Sequence, residues 1–349
     1  MHVGVSGLPS SFEGVGALEA FLACPSSEVV DAVGQMEGDI MVLGVGGKMG
    51  PTLALLAQRA IVASGARKRV IGVSRFSDPQ VEVRLRQAGV ETIRCDLMAP
   101  DALASLPDVA NIVYMVGFKF GATGQEPLTW AMNVFLSGQV AQRYRRSRMV
   151  VFSSGNVYPF TSVLCGDCTE ATPPAPVGEY AQSVLGRERV FAHFAEQFDT
   201  PLVLFRLNYA VEMRYGVLLD IARKVWTGDP IDVGMGHVNV IWQGDANAYA
   251  LRSLGLTACP PRLLNVTGPE TLSVRSLAQQ FGDLLGRTPV IEGTEQPAAL
   301  LSNAQQAYRL MGYPRVPLSK VIEWVASWIV SGGHTYDKPT KFQVRSGRF

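Results

Sequence analysis

The sequence predicts an α/β protein: a doubly wound, mostly parallel sheet with a smaller C-terminal cap over its ligand edge. Three observations predict it: short and nearly unbroken apolar runs, helix-length amphipathic stretches between them, and a glycine-rich loop at the first crossover. Apolar runs without period-two alternation are strands buried on both faces, as helices on both sides of a parallel sheet require. Sheets of this kind take their ligands at the carboxyl ends of the strands.

Residues 1–36 form a helical N-terminal extension. Ser10-Ser11-Phe12-Glu13 has the character of a helix cap, Leu18, Phe21 and Leu22 supply an apolar face, and Pro25-Ser26-Ser27 opens a second helix. A dinucleotide-binding domain is expected over 37–207, with strands at Ile40–Leu43, Val70–Val73, Thr92–Cys95, Ile112–Val116, Met149–Phe152 and Leu202–Phe205. Pro51 suits the first turn of a helix reaching Ala63. A helix from Ala131 to about Tyr144 ends in Arg143, Arg145, Arg146 and Arg148, cations that complement its carbonyl end.

Residues 208–333 are expected to form the substrate-binding region, with segments near 236–250 returning to the first domain. Its helices are Tyr215–Trp226, Val274–Leu285 opened by Ser273, and Val321–Val330, and Leu264–Gly268 reads as a strand and loop. Residues 334–349 are polar and basic, a C-terminal tail.

With 349 residues, 47% hydrophobic and 17% charged, the chain can bury a large core. Its formal charge of +1 provides no field for nucleic acid or an anionic membrane. It has neither a basic n-region before an apolar core nor an apolar run of about eighteen residues, so a cytoplasmic location is expected. Five cysteines are an odd and sparse set. Cys165-Gly-Asp-Cys168 has the spacing of a redox pair or half a zinc site, but no second Cys/His pair accompanies it, and His2, His193, His237 and His334 share no ligand spacing. No metal is expected.

Gly44-Val-Gly-Gly-Lys-Met-Gly50 falls between the first strand and the first helix. Glycines there permit a tight turn and close approach of backbone to a pyrophosphate, while the helix N-terminus offers N–H donors. Gly44, Gly46, Gly47, Lys48, Met49 and Gly50 are therefore candidate cofactor residues in a Rossmann-type domain. The second strand ends Val73-Ser74-Arg75, with no carboxylate before Asp78. Arg75 and Ser74 suit the 2′-phosphate of NADP, with NAD as the alternative; Arg75 stacking on adenine or facing solvent is the plainer reading. Asp96 and Leu97 can meet the adenine.

Farther along stand Ser154, in Ser-Ser-Gly-Asn-Val-Tyr, and Tyr180, in Tyr-Ala-Gln-Ser-Val. A Tyr-x-x-x-Lys enzyme places lysine at position 184; this chain has Val184. Together with Arg206-Leu-Asn208, Asn265-Val-Thr-Gly268 and Leu310-Met-Gly-Tyr-Pro, these motifs resemble, in order over about 39–330, the extended short-chain dehydrogenase/reductases of the NAD-dependent epimerase/dehydratase group. Val116-Gly-Phe-Lys119 and Asn133-Val134 are similar to segments of UDP-galactose 4-epimerases.

The resemblance implies that Val116, Gly117 and Asn133 lie by the cofactor and Lys119 by the nicotinamide ribose or the substrate, an exposed lysine at a helix start being the alternative. It implies that Tyr180 is the acid/base, that Ser154 holds the reacting oxygen, and that Asn156 and Asn208 help place the substrate. The family lysine binds the ribose and lowers the tyrosine pKa. Val184 does neither, leaving the oxidised nicotinamide or Lys119 as sources of charge.

The family's sugar-nucleotide epimerases carry an arginine where this chain reads Val238-Asn-Val-Ile-Trp-Gln-Gly-Asp245, and another where it reads Ala298-Ala-Leu-Leu-Ser-Asn303. Lacking both, the chain is expected to take a small free sugar, sugar acid or keto-sugar rather than a sugar nucleotide. The expected activity is that of an NAD(P)-dependent epimerase, dehydratase or reductase. The alternative is a catalytically impaired nucleotide-binding protein with a sensing or scaffold role, Tyr180 then being an ordinary helix residue. A homodimer is implied by the resemblance alone.

Overall fold

The computed structural model describes residues 7–119 and 121–348; His2 lies outside them. The centre is a seven-stranded parallel sheet made of β1 (Ile40–Leu43), β2 (Val70–Ser74), β3 (Glu91–Arg94), β4 (Asn111–Tyr114), β5 (Arg148–Ser154), β6 (Leu202–Leu207) and β7 (Arg262–Val266), in the order β7-β6-β5-β4-β1-β2-β3. Successive side chains of a strand leave on opposite faces. Val42, Val70, Val113 and Val150 thus fill one core while Met41, Ile71, Ile112 and Val151 fill the other.

The helices are α1 (Val15–Leu22), α2 (Ser27–Gln35), α3 (Gly50–Ser64), α4 (Pro79–Gln87), α5 (Glu126–Trp130), α6 (Leu136–Arg143), α7 (Gly178–Phe198), α8 (Val217–Thr227), α9 (Gln243–Ser253), α10 (Val274–Leu285), α11 (Gln305–Met311) and α12 (Leu318–Val330). Pro51 stands in the first turn of α3, and Ser273 caps α10 by accepting from the Ser276 N–H. The helix expected from Ala131 starts with a π-helical turn, Ala131–Phe135, that joins α5 to α6. Among the described residues no helix is long and apolar enough to cross a membrane.

Four expectations change. Ser10 and Ser11 do not cap α1, whose N-cap is Gly14 without a side-chain bond; Ser26 does cap α2. The N-terminal helices are not set apart: α2 packs on α3 and α9, and Leu18 and Leu22 of α1 enter the second core with Trp242 and Trp324. The strand at Leu264 is not part of the cap but the sheet's edge strand β7, paired with β6 from Arg262↔Val203 to Val266↔Leu207. The polar tail is folded in: Thr340 and Phe342 are buried, and the Thr340 hydroxyl and N–H both donate to Asp220 of α8, at 2.6 and 2.7 Å.

Candidate active site

Strand order reverses between β1 and β4, which opens a crevice at their carboxyl ends. The glycine loop fills the entrance because only glycine fits there. At Gly44 φ is +87°, and a Cβ would lie 2.9 Å from the Val116 nitrogen; at Gly50 a Cβ would lie 2.3 Å from the Val45 carbonyl oxygen. The loop therefore passes directly from β1 into α3, bringing the N-terminus of that helix to the carboxyl edge of the sheet.

A groove of about 240 Å³ runs along this edge, lined by Gly44, Gly46, Gly47, Ser74, Arg75, Asp96, Leu97, Met115, Val116 and Gly117. Arg75 and Asp96 are exposed at its rim. The shape and the amide-rich floor fit an extended dinucleotide. Asn133 does not line this groove. It is fully buried, accepting from the Phe118 N–H (2.9 Å) and donating to the Phe118 carbonyl (3.2 Å) and Ser183 Oγ (2.9 Å). Its task is to hold the loop after β4, a side-chain direction that the Asn-Val motif does not reveal.

A second cavity, of about 160 Å³, lies at the ends of β5 and β6. Lys48, Met49, Lys119, Ser154, Asn156, Tyr180 and Asn208 line it, joined by Tyr209, Tyr215, Gln243 and Thr340, which the sequence did not single out. Ser154 Oγ donates to Asn156 Oδ1 (2.9 Å) and shares the cavity with Tyr180. Burial raises the Tyr180 phenol above its ordinary pKa, with Arg187 and Ser154 acting against it. Asn208 Nδ2 donates to Asn239 Oδ1 at 3.0 Å.

Two lysines converge here. Burial, with Lys119 and Lys338 as like charges, pushes the Lys48 amine down to about 6, and its Nζ sits 3.1 Å from the Tyr215 ring centroid. Lys119 is pushed down to about 8 by burial, with Asp220 opposing. It lies 5.6 Å from the Tyr180 ring centroid, in a loop that precedes α5, so it is not a lysine at a helix start. Position 184 offers no cation: Val184 is buried with Val157, Tyr158 and Cys168.

Beneath the cavity a buried pair ties α7 to β6. Arg206 donates to Glu188 Oε1 and Oε2 (2.9 and 2.6 Å) and to Tyr158 Oη (2.7 Å), while Ser153 also donates to Glu188. Tyr158 in turn donates to Asn265 Oδ1 at 2.8 Å. Tyr158, Arg206 and Asn265 stand in motifs visible in the sequence, but this pairing across α7, β5, β6, β7 and the turn after β5 is not. The five cysteines are free thiols, Cys165 exposed and Cys168 buried, and the described residues contain no cluster of three or more metal-ligating side chains.

The model of the NAD dependent epimerase/dehydratase family matches residues 40–211. No curated protein matches. Solved structures of similar fold include the UDP-glucuronic acid 4-epimerase of Bacillus cereus in complex with NAD, at 18% identity and TM-score 0.71, covering 84% of this chain and 99% of that one. The UDP-glucose 4-epimerase of Thermus thermophilus in complex with NAD gives 15% identity and TM-score 0.67, covering 83% and 98%. Pal from Bacillus thuringiensis gives 15% and 0.70, covering 84% and 99%. At these identities the likeness is one of fold.

Proposed function

Residues 40–211 belong to the NAD dependent epimerase/dehydratase family, and from that premise we propose that the chain moves hydride between a nicotinamide cofactor and a carbinol or carbonyl carbon of a small, carbohydrate-like substrate. The observation that carries this reading is that Ser154 and Tyr180 line one cavity, bordered by Lys48 and Met49 of the glycine loop. A bound nicotinamide supplies the hydride chemistry; the residues of the chain handle the oxygen and its proton. Ser154 holds the reacting oxygen, and Tyr180, kept protonated by burial, gives its proton to that oxygen as negative charge develops. In the opposite direction the phenolate takes the proton back. Asn156 fixes the Ser154 rotamer through the 2.9 Å bond, and Lys119 and Asn208 orient the substrate.

The cofactor in this reading is NADP, with NAD as the alternative. Ser74 and Arg75 border the groove at the end of β2, where no carboxylate stands to hold a ribose 2′-hydroxyl. Small substrate size rests on the cavity volume and on its walls. Thr340 forms part of one wall, and in a neighbouring recess that shares Asn156 and Tyr209 with the cavity, Arg345 lies 4.3 Å from the Phe160 ring centroid while donating to the Ala298 carbonyl. That guanidinium is engaged by protein at the stretch where an arginine for diphosphate was missing from the sequence.

Incubation with NADPH or NADP⁺ and a panel of free sugars, sugar acids and keto-sugars tests the proposal, read by nicotinamide absorbance and, for isomerisation without net redox change, by NMR. Turnover should fall by about 10²-fold or more in Tyr180→Phe. Unchanged turnover in that variant overturns the tyrosine mechanism. The sealed apolar surroundings of Val184 favour a second reading, a silent nucleotide-binding protein; tight NADP binding without turnover across the panel selects it.

A further inference from the structure

A tyrosine that ionises near 10 needs a positive charge beside it to act as a base at neutral pH. Position 184 supplies none, yet α7 buries a guanidinium farther along. Arg187 is 5% exposed. Its Nη1 donates to the Phe152 carbonyl (2.8 Å), Nη2 to Asn133 Oδ1 (2.8 Å) and Nε to the Asn133 carbonyl (3.4 Å). All three acceptors are neutral. Among the described residues no carboxylate pairs with it, the adjacent Glu188 being engaged by Arg206 at 2.6 Å.

A buried charge without a counter-ion is costly, so what this one faces matters. Residues 180 and 187 are two turns apart on one helix face, about 10 Å along the axis. Both side chains lean toward the N-terminus, so guanidinium and phenol stay about 10 Å apart, a separation across which a buried charge still acts. Its Nη2 is also so close beneath Gly117 that a Cβ there would lie 2.9 Å away. The turn bearing Tyr180 is fixed to the same network, since Ser183 Oγ donates to the Tyr180 carbonyl (2.8 Å) and accepts from Asn133 Nδ2 (2.9 Å).

We propose that Arg187 takes the electrostatic place left open at 184: a permanently charged guanidinium inside α7 that stabilises the Tyr180 phenolate and so positions the Tyr180–Ser154 pair for proton transfer. The inference rests on the proposed role of Tyr180. Arg187 is the larger of the two influences that oppose the effect of burial on that phenol. Other charged or titratable groups facing this space include Tyr114 of β4, whose ring centroid lies 5.5 Å from the Arg187 guanidinium, Lys119 from the loop after β4, Tyr209 after β6, Tyr215 before α8, Asp220 of α8, which acts on these last three, and Lys48 against Tyr215. Lys119 titrates near neutrality; an arginine does not.

The test places a fluorinated tyrosine of neutral-range pKa at position 180 and follows its ionisation by ¹⁹F NMR, without substrate. Arg187→Gln, which keeps hydrogen-bond donors but no charge, should raise the midpoint by about one unit or more, a tenfold change in the ionisation constant. Adding Val184→Lys to that variant should bring the midpoint back. Arg187→Lys serves as the charge-retaining control: the phenol should follow the parent at low pH and depart from it where the buried amine loses its proton. An unshifted midpoint in Arg187→Gln, or an equal shift in Lys119→Met, overturns the proposal. If Arg187→Gln does not fold, a single parent-like titration in Arg187→Lys overturns it instead. Because the readout needs no turnover, its failure is distinct from a failure of Tyr180→Phe to impair activity.

Discussion

Lys48 offers a measurable link between protonation and ligand binding. Its amine is held at about 6, with burial the largest cause and the Lys119 and Lys338 charges adding to it, against an ordinary 10.5. At pH 7 such an amine is about nine-tenths neutral. An anion brought against it, whether a cofactor phosphate or an acidic group of a substrate, restores the charged form, so binding draws a proton from solution. Between pH 6 and the raised pKa of the bound state, affinity should fall about tenfold per pH unit, or about 1.4 kcal/mol. Calorimetric titration of NADP at pH 7 in two buffers of different ionisation enthalpy should give an uptake of nearly one proton in the parent chain. Lys48→Met should show little, and Lys119→Met should keep most of it, since an amine at about 8 is already largely charged at that pH. Equal uptake in the parent and in Lys48→Met would refute the reasoning.

Asp245, in the first turn of α9, is pushed up to about 6 by burial, although it accepts from the Val316 N–H at 3.0 Å. The folded chain then binds a proton that the unfolded chain has lost above about 3.8, so this residue costs stability as pH rises through about 4 to 6. Asp245→Asn removes that cost; its stability relative to the parent should improve by up to about 3 kcal/mol between about pH 3.5 and 7 in urea melts, and a pH-independent difference would argue against it. Arg206→Met leaves Glu188 charged and buried, which should cost about 3 to 5 kcal/mol in the same assay, while Glu188→Gln, which leaves the arginine, should also destabilise. Deleting residues 337–349 removes Thr340 from Asp220 and Phe342 from the second core; thermal unfolding should drop by several degrees. If the tail limits substrate size, that truncated chain should also bind UDP-glucose in calorimetry where the parent does not.

The strands were legible because burial on both faces leaves an uninterrupted apolar signature, as in Ile40-Met-Val-Leu43. The edge strand was less so: Arg262-Leu-Leu-Asn-Val266 is only part apolar and follows the helices of the cap. The folded tail was hidden for a related reason, since its anchoring lies in single residues, Thr340 and Phe342, scattered through polar sequence. The placing of Ser154 and Tyr180 in one site follows from motif order, whereas the directions of Asn133 and Arg187 depend on contacts between the π-helical turn, α7 and β5 that no local pattern encodes. Lys119 was recognised as a residue type, but its distance from Tyr180 belongs to the tertiary structure.

The wall that Thr340 contributes has a consequence for biosynthesis. Asp220 awaits a partner 120 positions later in the chain, so the nucleotide groove can assemble while the neighbouring chamber still stands open on one side. On the proposed function, a chain still emerging from the ribosome completes its nucleotide groove before its substrate chamber is closed by Thr340.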